Sequence, residues 1–206
     1  MNLLAFDTCL DKTYVTLYTK GEFVNKVILS NDNNYHSAYL ISTIVEVLKE
    51  NNLVPADLDC IATDIGPGSF TGIRACVTVA RMLAQQLNIN AIGVSSLEIL
   101  SKILNSNDIV ALDARKNKAY LFDNKILGAI DLEEVDEIIL GKKIVTDNSL
   151  LERFVNKASK AISYQQNDYQ LGEILARIAL DKISCGENSN WKNLKPLYIQ
   201  PPPVFK

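Results

Sequence analysis

The sequence predicts an α/β fold with mixed sheets flanked by helices. Three short apolar segments lie close together near the N-terminus with turn residues between them, and beyond residue 60 strand-like and helix-like segments alternate. The 206 residues are 48% hydrophobic, enough for a substantial core in one large domain or two small lobes.

Leu3–Asp7 reads as a strand that ends on an acid. Tyr14–Tyr18 alternates, with Val15 and Leu17 on one face, and Gly21-Glu22 turns the chain into Phe23–Leu29. The polar stretch Ser30-Asn31-Asp32-Asn33-Asn34 reads as a loop. A helix is expected from His36 to about Lys49, because Leu40, Ile44, Val47 and Leu48 share a face. Cys60–Ile65 is the next strand. A helix over Gly72–Leu87, a strand over Ala91–Val94 and a short helix over Leu97–Leu104 follow. The polar run Asn105–Asp108 suggests a boundary between a lobe at 1–105 and a smaller lobe at 106–206.

Beyond the boundary, Ile109–Asp113, Ala119–Phe122, Ile126–Ile130 and Lys143–Thr146 read as strands and Ser149–Lys157 as a short helix. Asp168 is a candidate N-cap for a helix reaching about Ile183, with Leu171, Ile174, Leu175 and Ile178 on one face. Four prolines keep the tail Leu194–Lys206 from being helical.

Composition removes several classes of function. A net charge of −3 and a pI near 5.3 do not suit a domain that grips a nucleic-acid backbone by itself. The start Met1–Asp7 lacks a basic n-region and meets an acid too early for a signal peptide. No apolar run approaches the roughly 20 residues of a membrane span, so a soluble cytoplasmic protein is expected. The thiols Cys9, Cys60, Cys76 and Cys185 are widely spaced and read as buried small hydrophobes. With a single histidine, the expectation is no metal site and no cofactor.

The segment Gly66-Pro67-Gly68-Ser69-Phe70-Thr71-Gly72-Ile73-Arg74 joins a strand to a helix. Small residues at a helix N-terminus free backbone N–H groups for an anion. A tight strand-to-helix junction needs small residues equally. Both readings stay open for Gly66, Gly68, Ser69, Thr71 and Gly72, with Ser69 or Thr71 as the cap. The Gly-Lys-Ser/Thr ending of a Walker A loop is missing.

This nonapeptide resembles the signature of the TsaB (YeaZ) family. Phe6-Asp7-Thr8, His36-Ser37, Gly93-Val94-Ser95-Ser96-Leu97, Asp113-Ala114-Arg115 with Tyr120, and Pro196-Leu197-Tyr198-Ile199 resemble further family segments in the same order, with Gln200 where an arginine is usual. The resemblance implies a two-lobed actin-like (Hsp70-like) fold. It also implies a catalytically degenerate relative of the TsaD (Kae1/YgjD) subunit, which transfers a threonylcarbamoyl group to N6 of adenosine 37 of tRNA. Such a subunit pairs with TsaD, or with itself in isolation. A TsaE ATPase joins the assembly, and tRNA is met only through the complex.

Two details agree with a non-catalytic role. The catalytic relatives hold a metal through an H-x-x-x-H pair; here His36 is the only histidine and Leu40 occupies the later position. Active members of the superfamily follow the first acid with a glycine-rich turn. Asp7 is followed by Thr8-Cys9-Leu10-Asp11-Lys12, which leaves it as a structural acid or part of a vestigial nucleotide site. Asp113 and Arg115 are read as a structural pair at the lobe junction.

The resemblance places the partner interface on the two helices of the first lobe, on His36, Tyr39, Leu40 and Ile44 and on Arg74, Cys76, Val79, Met82 and Leu83. The second helix carries more apolar positions than one sheet face needs. The rival readings are an actin-fold nucleotide phosphotransferase, a glycoprotease-like metallohydrolase, and a self-contained homodimeric binding module.

Overall fold

The computed structural model describes residues 1–29, 36–103, 108–187 and 190–200. The strands are β1 (Leu3–Asp7), β2 (Lys12–Thr19), β3 (Glu22–Leu29), β4 (Cys60–Asp64), β5 (Asn90–Val94), β6 (Ile109–Arg115), β7 (Lys118–Phe122), β8 (Ile126–Asp131), β9 (Lys143–Thr146) and β10 (Lys160–Ser163). The helices are α1 (Leu40–Glu50), α2 (Phe70–Leu87), α3 (Ser96–Leu100), α4 (Leu132–Ile138), α5 (Asn148–Val155) and α6 (Leu171–Ser184). The 3-10 turns His36–Tyr39, Pro55–Asp57 and Trp191–Asn193 complete the described elements. Among the described residues no helix is long and apolar enough to cross a membrane.

The strands form two five-stranded sheets, ordered β3-β2-β1-β4-β5 and β10-β9-β6-β7-β8. In the first, β1–β2 and β2–β3 are antiparallel while β1–β4 and β4–β5 are parallel. The second repeats the scheme, with β6–β7 and β7–β8 antiparallel and β6–β9 and β9–β10 parallel. One topology is used twice, a three-stranded meander extended by two parallel strands, which is the mixed-sheet α/β architecture that the sequence predicts.

Alternation along β1 and β2 assigns each face of the first sheet. Leu4, Phe6, Val15 and Leu17 share a core with Ile44, Val47 and Leu48 of α1 and with Ile73, Cys76, Val77 and Ala80 of α2. On the opposite face α6 packs against β1 and β2. In the second sheet Ile109, Ala111, Ala119 and Leu121 pack with Val135 of α4 and Phe154 of α5.

The chain divides into two compact units, 1–96 with 170–197 and 97–169 with 198–206. This differs from the division expected at residues 105 and 106. Asn105 to Asn107 lie outside the described residues, and α6 belongs with the first sheet. Its stripe of Leu171, Leu175, Ala176 and Ala179, all buried, covers the back of β1 and β2. Gly172 marks the contact: a Cβ there would lie 2.9 Å from Tyr14 Cβ and against Thr16 Oγ1.

Local boundaries shift for identifiable reasons. Ser69, one of the two candidate caps, holds the N-terminus of α2, its hydroxyl accepting the Gly72 N–H at 3.3 Å, so the helix starts at Phe70. Asp168 does not cap α6. The N-cap is Gln170, whose left-handed backbone (φ 52°) blocks helix from extending back toward Asp168. Helix α4 is too acidic in its first turn to show a clear apolar stripe, and β10 is a four-residue edge strand. The loop over residues 30–34 and the end of the tail, 201–206, lie outside the described residues.

If α6 seals the back of the first sheet, Gly172→Ala is destabilising even though alanine favours a helix by about 1 kcal/mol. The methyl group must displace Tyr14 and Thr16 on β2, at a cost of about 1–3 kcal/mol. Urea denaturation checks the sign; a rise in stability would mean that α6 does not press on β2.

Candidate functional site

Asp7 ends β1 and Asp64 ends β4, and these strands are parallel neighbours in the register Phe6↔Thr63. The two acids therefore emerge side by side, with Asp7 1% and Asp64 0% exposed. Asp7 Oδ1 accepts the Cys9 N–H at 2.5 Å. Asp64 Oδ1 accepts the Gly66 N–H at 2.7 Å, and the Ser96 hydroxyl reaches both Asp64 oxygens at 2.9 and 2.7 Å. Asp7 Oδ2 has no donor in place. The Asp64 carboxyl is in range and can act as a donor only while it carries its own proton.

Two buried acids so close resist ionising together. Burial, and then the charge of Cys76, raise Asp7 to about 8. Burial and the charge of Asp7 lift Asp64 well above the carboxylate range.

Next to the acids, the turn Thr8-Cys9 is clasped by the loop into α2. Ser69 N–H donates to Cys9 O at 2.7 Å, and the Thr8 hydroxyl donates to Gly72 O at 2.7 Å. Gly68 and Gly72 are glycines because the chain passes too close for any side chain: a Cβ on Gly68 would strike Cys9 O, and one on Gly72 would strike Thr8 O. The N–H groups of Gly66, Ser69 and Gly72 are thus spent on Asp64, Cys9 and the Ser69 hydroxyl, so these three are not offered to a phosphate. Thr71 is exposed on the first turn of α2.

The thiols are less scattered than their spacing suggests. Cys76, on the inner face of α2, sits against the same turn, its Sγ accepting the Thr8 N–H at 3.1 Å with the Thr8 hydroxyl at 3.1 Å. Cys9 Sγ contacts Asp64 O at 3.5 Å. Burial raises both thiols. For Cys76, side-chain contacts with Cys9, Thr63 and Thr8 outweigh burial and leave it lowered, while Cys9 stays high. Cys60 is buried and Cys185 is exposed, so the buried-hydrophobe reading does not extend to Cys185.

The expected interface residues divide by exposure. Leu40, Ile44 and Cys76 are 1%, 5% and 0% exposed. They face their own sheet and are corrected from surface to core, because the i, i+4 stripe that defines each helix is its inward stripe. His36 opens the 3-10 turn ahead of α1. Tyr39, Arg74 and Met82 are exposed, and Val79 and Leu83 half-buried. Ile41 and Val45 on α1 and Phe70 on α2, outside the expected interface set, are 55%, 58% and 39% exposed. Phe70, Arg74, Thr78 and Met82 form an outward row at i, i+4 spacing, with the Arg74 guanidinium 3.8 Å above the Phe70 ring. In the second unit Asp113 accepts the main-chain N–H of Arg115 at 2.7 Å. That contact shapes the β6–β7 turn, where residues 115–117 all have positive φ.

A family model described as TsaD, tRNA N6-adenosine threonylcarbamoyltransferase, matches residues 27–186. The chain belongs to this family. Its curated relatives carry the narrower name tRNA threonylcarbamoyladenosine biosynthesis protein TsaB. One from Buchnera aphidicola subsp. Acyrthosiphon pisum is 28% identical over 79% of this chain and 77% of its own length. Those from Buchnera aphidicola subsp. Baizongia pistaciae and Bacillus subtilis are each 35% identical over 101 residues, 48% and 49% of this chain and 45% and 44% of theirs. The match thus spans less than half the length of these two TsaB relatives. Two Pseudomonas aeruginosa structures share the fold: one described as similar to peptidase YEAZ (TM-score 0.79, 22% identity, 97% of this chain, 99% of that one) and one as YeaZ (0.77, 21%, 96%, 99%). The TsaB (YeaZ) resemblance is therefore shared by sequence and fold.

The acid pair sets a pH dependence. Asp7 has an unfolded value near 3.9 and a folded value of about 8. Between these the folded state holds a proton that the unfolded chain has released, so its contribution is full below about pH 4 and is lost as pH rises toward 8. The slope reaches up to about 1.4 kcal/mol per pH unit. Asp7→Asn should flatten the fall in urea midpoint between pH 5 and 8, measured with a chelator present; an unchanged slope would assign the titration elsewhere.

Proposed function

We propose that the chain is a non-catalytic dimerisation and scaffold subunit that supports a TsaD-type subunit in threonylcarbamoyl transfer to N6 of adenosine 37 of tRNA. The observation that carries this reading is the outward apolar surface of α1 and α2, with Ile41 and Val45 on one helix, Tyr39 in the turn that leads into it, and Phe70 and Met82 on the other. Exposed apolar area of this kind on two helices over one sheet face suits a lasting protein contact. The names of the relatives supply the pathway.

An isologous contact through these helices would make a homodimer in isolation, and the related TsaD surface would replace one copy in the working complex. TsaE joins as a further partner. The net charge of −3 agrees with tRNA being held by the assembly and not by this chain alone. The setting is the cytoplasm. Against the phosphotransferase reading weigh the burial of Asp7 and the inward use of the Gly66, Ser69 and Gly72 N–H groups. Against the metallohydrolase weighs the single histidine.

Two measurements test this. Incubated with tRNA, ATP, threonine, bicarbonate and the threonylcarbamoyl-adenylate synthase, the chain should make no modified adenosine until TsaD is added; product without TsaD would make it an enzyme. Met82→Glu should leave the circular dichroism unchanged, turn dimer into monomer by light scattering at micromolar concentration, and abolish TsaD capture. A carboxylate trapped at an interface costs several kcal/mol, roughly a thousandfold or more in affinity. A folded Met82→Glu chain that still dimerises and still captures TsaD would move the interface off α2.

A further inference from the structure

Asp7, Cys9 and Cys76 come from the end of β1, the turn after it and the inner face of α2. One donor atom from each lies within 4.8 Å of the other two, and all three residues are buried. Two features point beyond ordinary packing. Asp7 Oδ2 is buried and takes no N–H or hydroxyl donor, so apart from a proton shared with Asp64 this carboxyl has a coordination position to spare. Cys76 Sγ receives the Thr8 N–H, a main-chain donor of the kind that supports a sulfur as a metal ligand.

We propose that Asp7, Cys9 and Cys76 form a structural site for one zinc-class divalent ion that ties the β1 turn to α2. Two thiolates and one carboxylate are a donor set suited to tetrahedral Zn²⁺. Bond lengths of about 2.3 Å to sulfur and 2.0–2.2 Å to oxygen place such donors roughly 3.3–3.8 Å apart. A small inward movement from the present spacing reaches that geometry. Binding is not a redox step: the ion displaces the protons of the two thiols and the carboxyl, which pass to solvent. The fourth position falls to water or to the neighbouring Asp64 carboxyl. With every ligand buried, such an ion acts on the fold and not on a substrate. The site uses none of the residues of an H-x-x-x-H centre, and it stands independently of the functional reading above.

The test uses the full chain without a histidine tag, unfolded in guanidinium with reductant and refolded with one equivalent of Co²⁺. One ion per chain should survive gel filtration. It should show the visible bands of tetrahedral cobalt and a near-ultraviolet thiolate-to-cobalt band. Cys9→Ser and Cys76→Ser should each weaken the thiolate band, Asp7→Asn should loosen the ion, and Cys185→Ala should change nothing. Where a serine variant does not fold, the wild-type chain decides: native mass spectrometry after refolding with Zn²⁺ should show one zinc added and the displaced protons gone. A folded wild-type chain that retains no ion, or a thiolate band that Cys185→Ala removes, would overturn the site. So would a purified chain lighter by two hydrogens with Cys9 linked to Cys76, which would make the pair a disulfide.

Discussion

The first unit depends on a backbone contact too close for side chains. The Thr8 and Cys9 carbonyls approach Gly72 and Gly68 so tightly that a methyl group on either glycine would collide with them. Hydrogen bonds from Ser69 to Cys9 and from Thr8 to Gly72 hold the approach in place. The turn after β1 is thereby fastened to the start of α2, and the direction of α2 across the sheet is set at its first residues. Its inward stripe then meets Leu4, Phe6 and Ile61, and its other flank is left outward. The burial of Asp7 and the outward row on α2 both follow from this clasp.

The same contact explains how a loop with the composition of an anion site can serve another purpose. Glycine at a helix N-terminus lets something approach the backbone closely. Here what approaches is the protein's own chain, and the Gly66, Ser69 and Gly72 N–H groups are paired within the fold. Asp7 remains as an acid in a dry place. Its company is Asp64, and the raised proton affinity of both is the consequence of removing water from two neighbouring carboxyls.

Much of the fold was legible because its signals are local. Leu3–Asp7 and Lys143–Thr146 carry their observed bounds in the sequence, and β2, β6 and β7 extend slightly past their sequence signals, since apolar alternation and turn residues act over a few positions. The features that are not legible in sequence are non-local. Helix α6 returns to the first sheet across more than seventy residues, and nothing in Leu171, Leu175 and Ala179 says which of two similar sheets they cover. Asp64 ends an apolar strand just as Asp7 does, a repeated signal that could have been noticed, yet only the parallel pairing of β1 with β4 makes the acids neighbours. Cys9 and Cys76 are 67 positions apart and meet only through the clasp.

The surface of α1 and α2 shows the limit of stripe counting. A periodic apolar row identifies the face a helix buries in its own core, which is why Leu40, Ile44 and Cys76 turned out to be internal. The exposed apolar side chains lie off that row, at Met82, which the sequence already singles out, and at Ile41 and Val45, which look incidental in it. Their meaning comes from being gathered on helices that share one sheet face. The paired acids end strands in the interior, and the apolar side chains left outward stand on the helices covering that interior. This arrangement leaves α1 and α2 free to offer contact area while the interior carries the polar groups, and it is the physical basis for reading the first unit as a surface supplier.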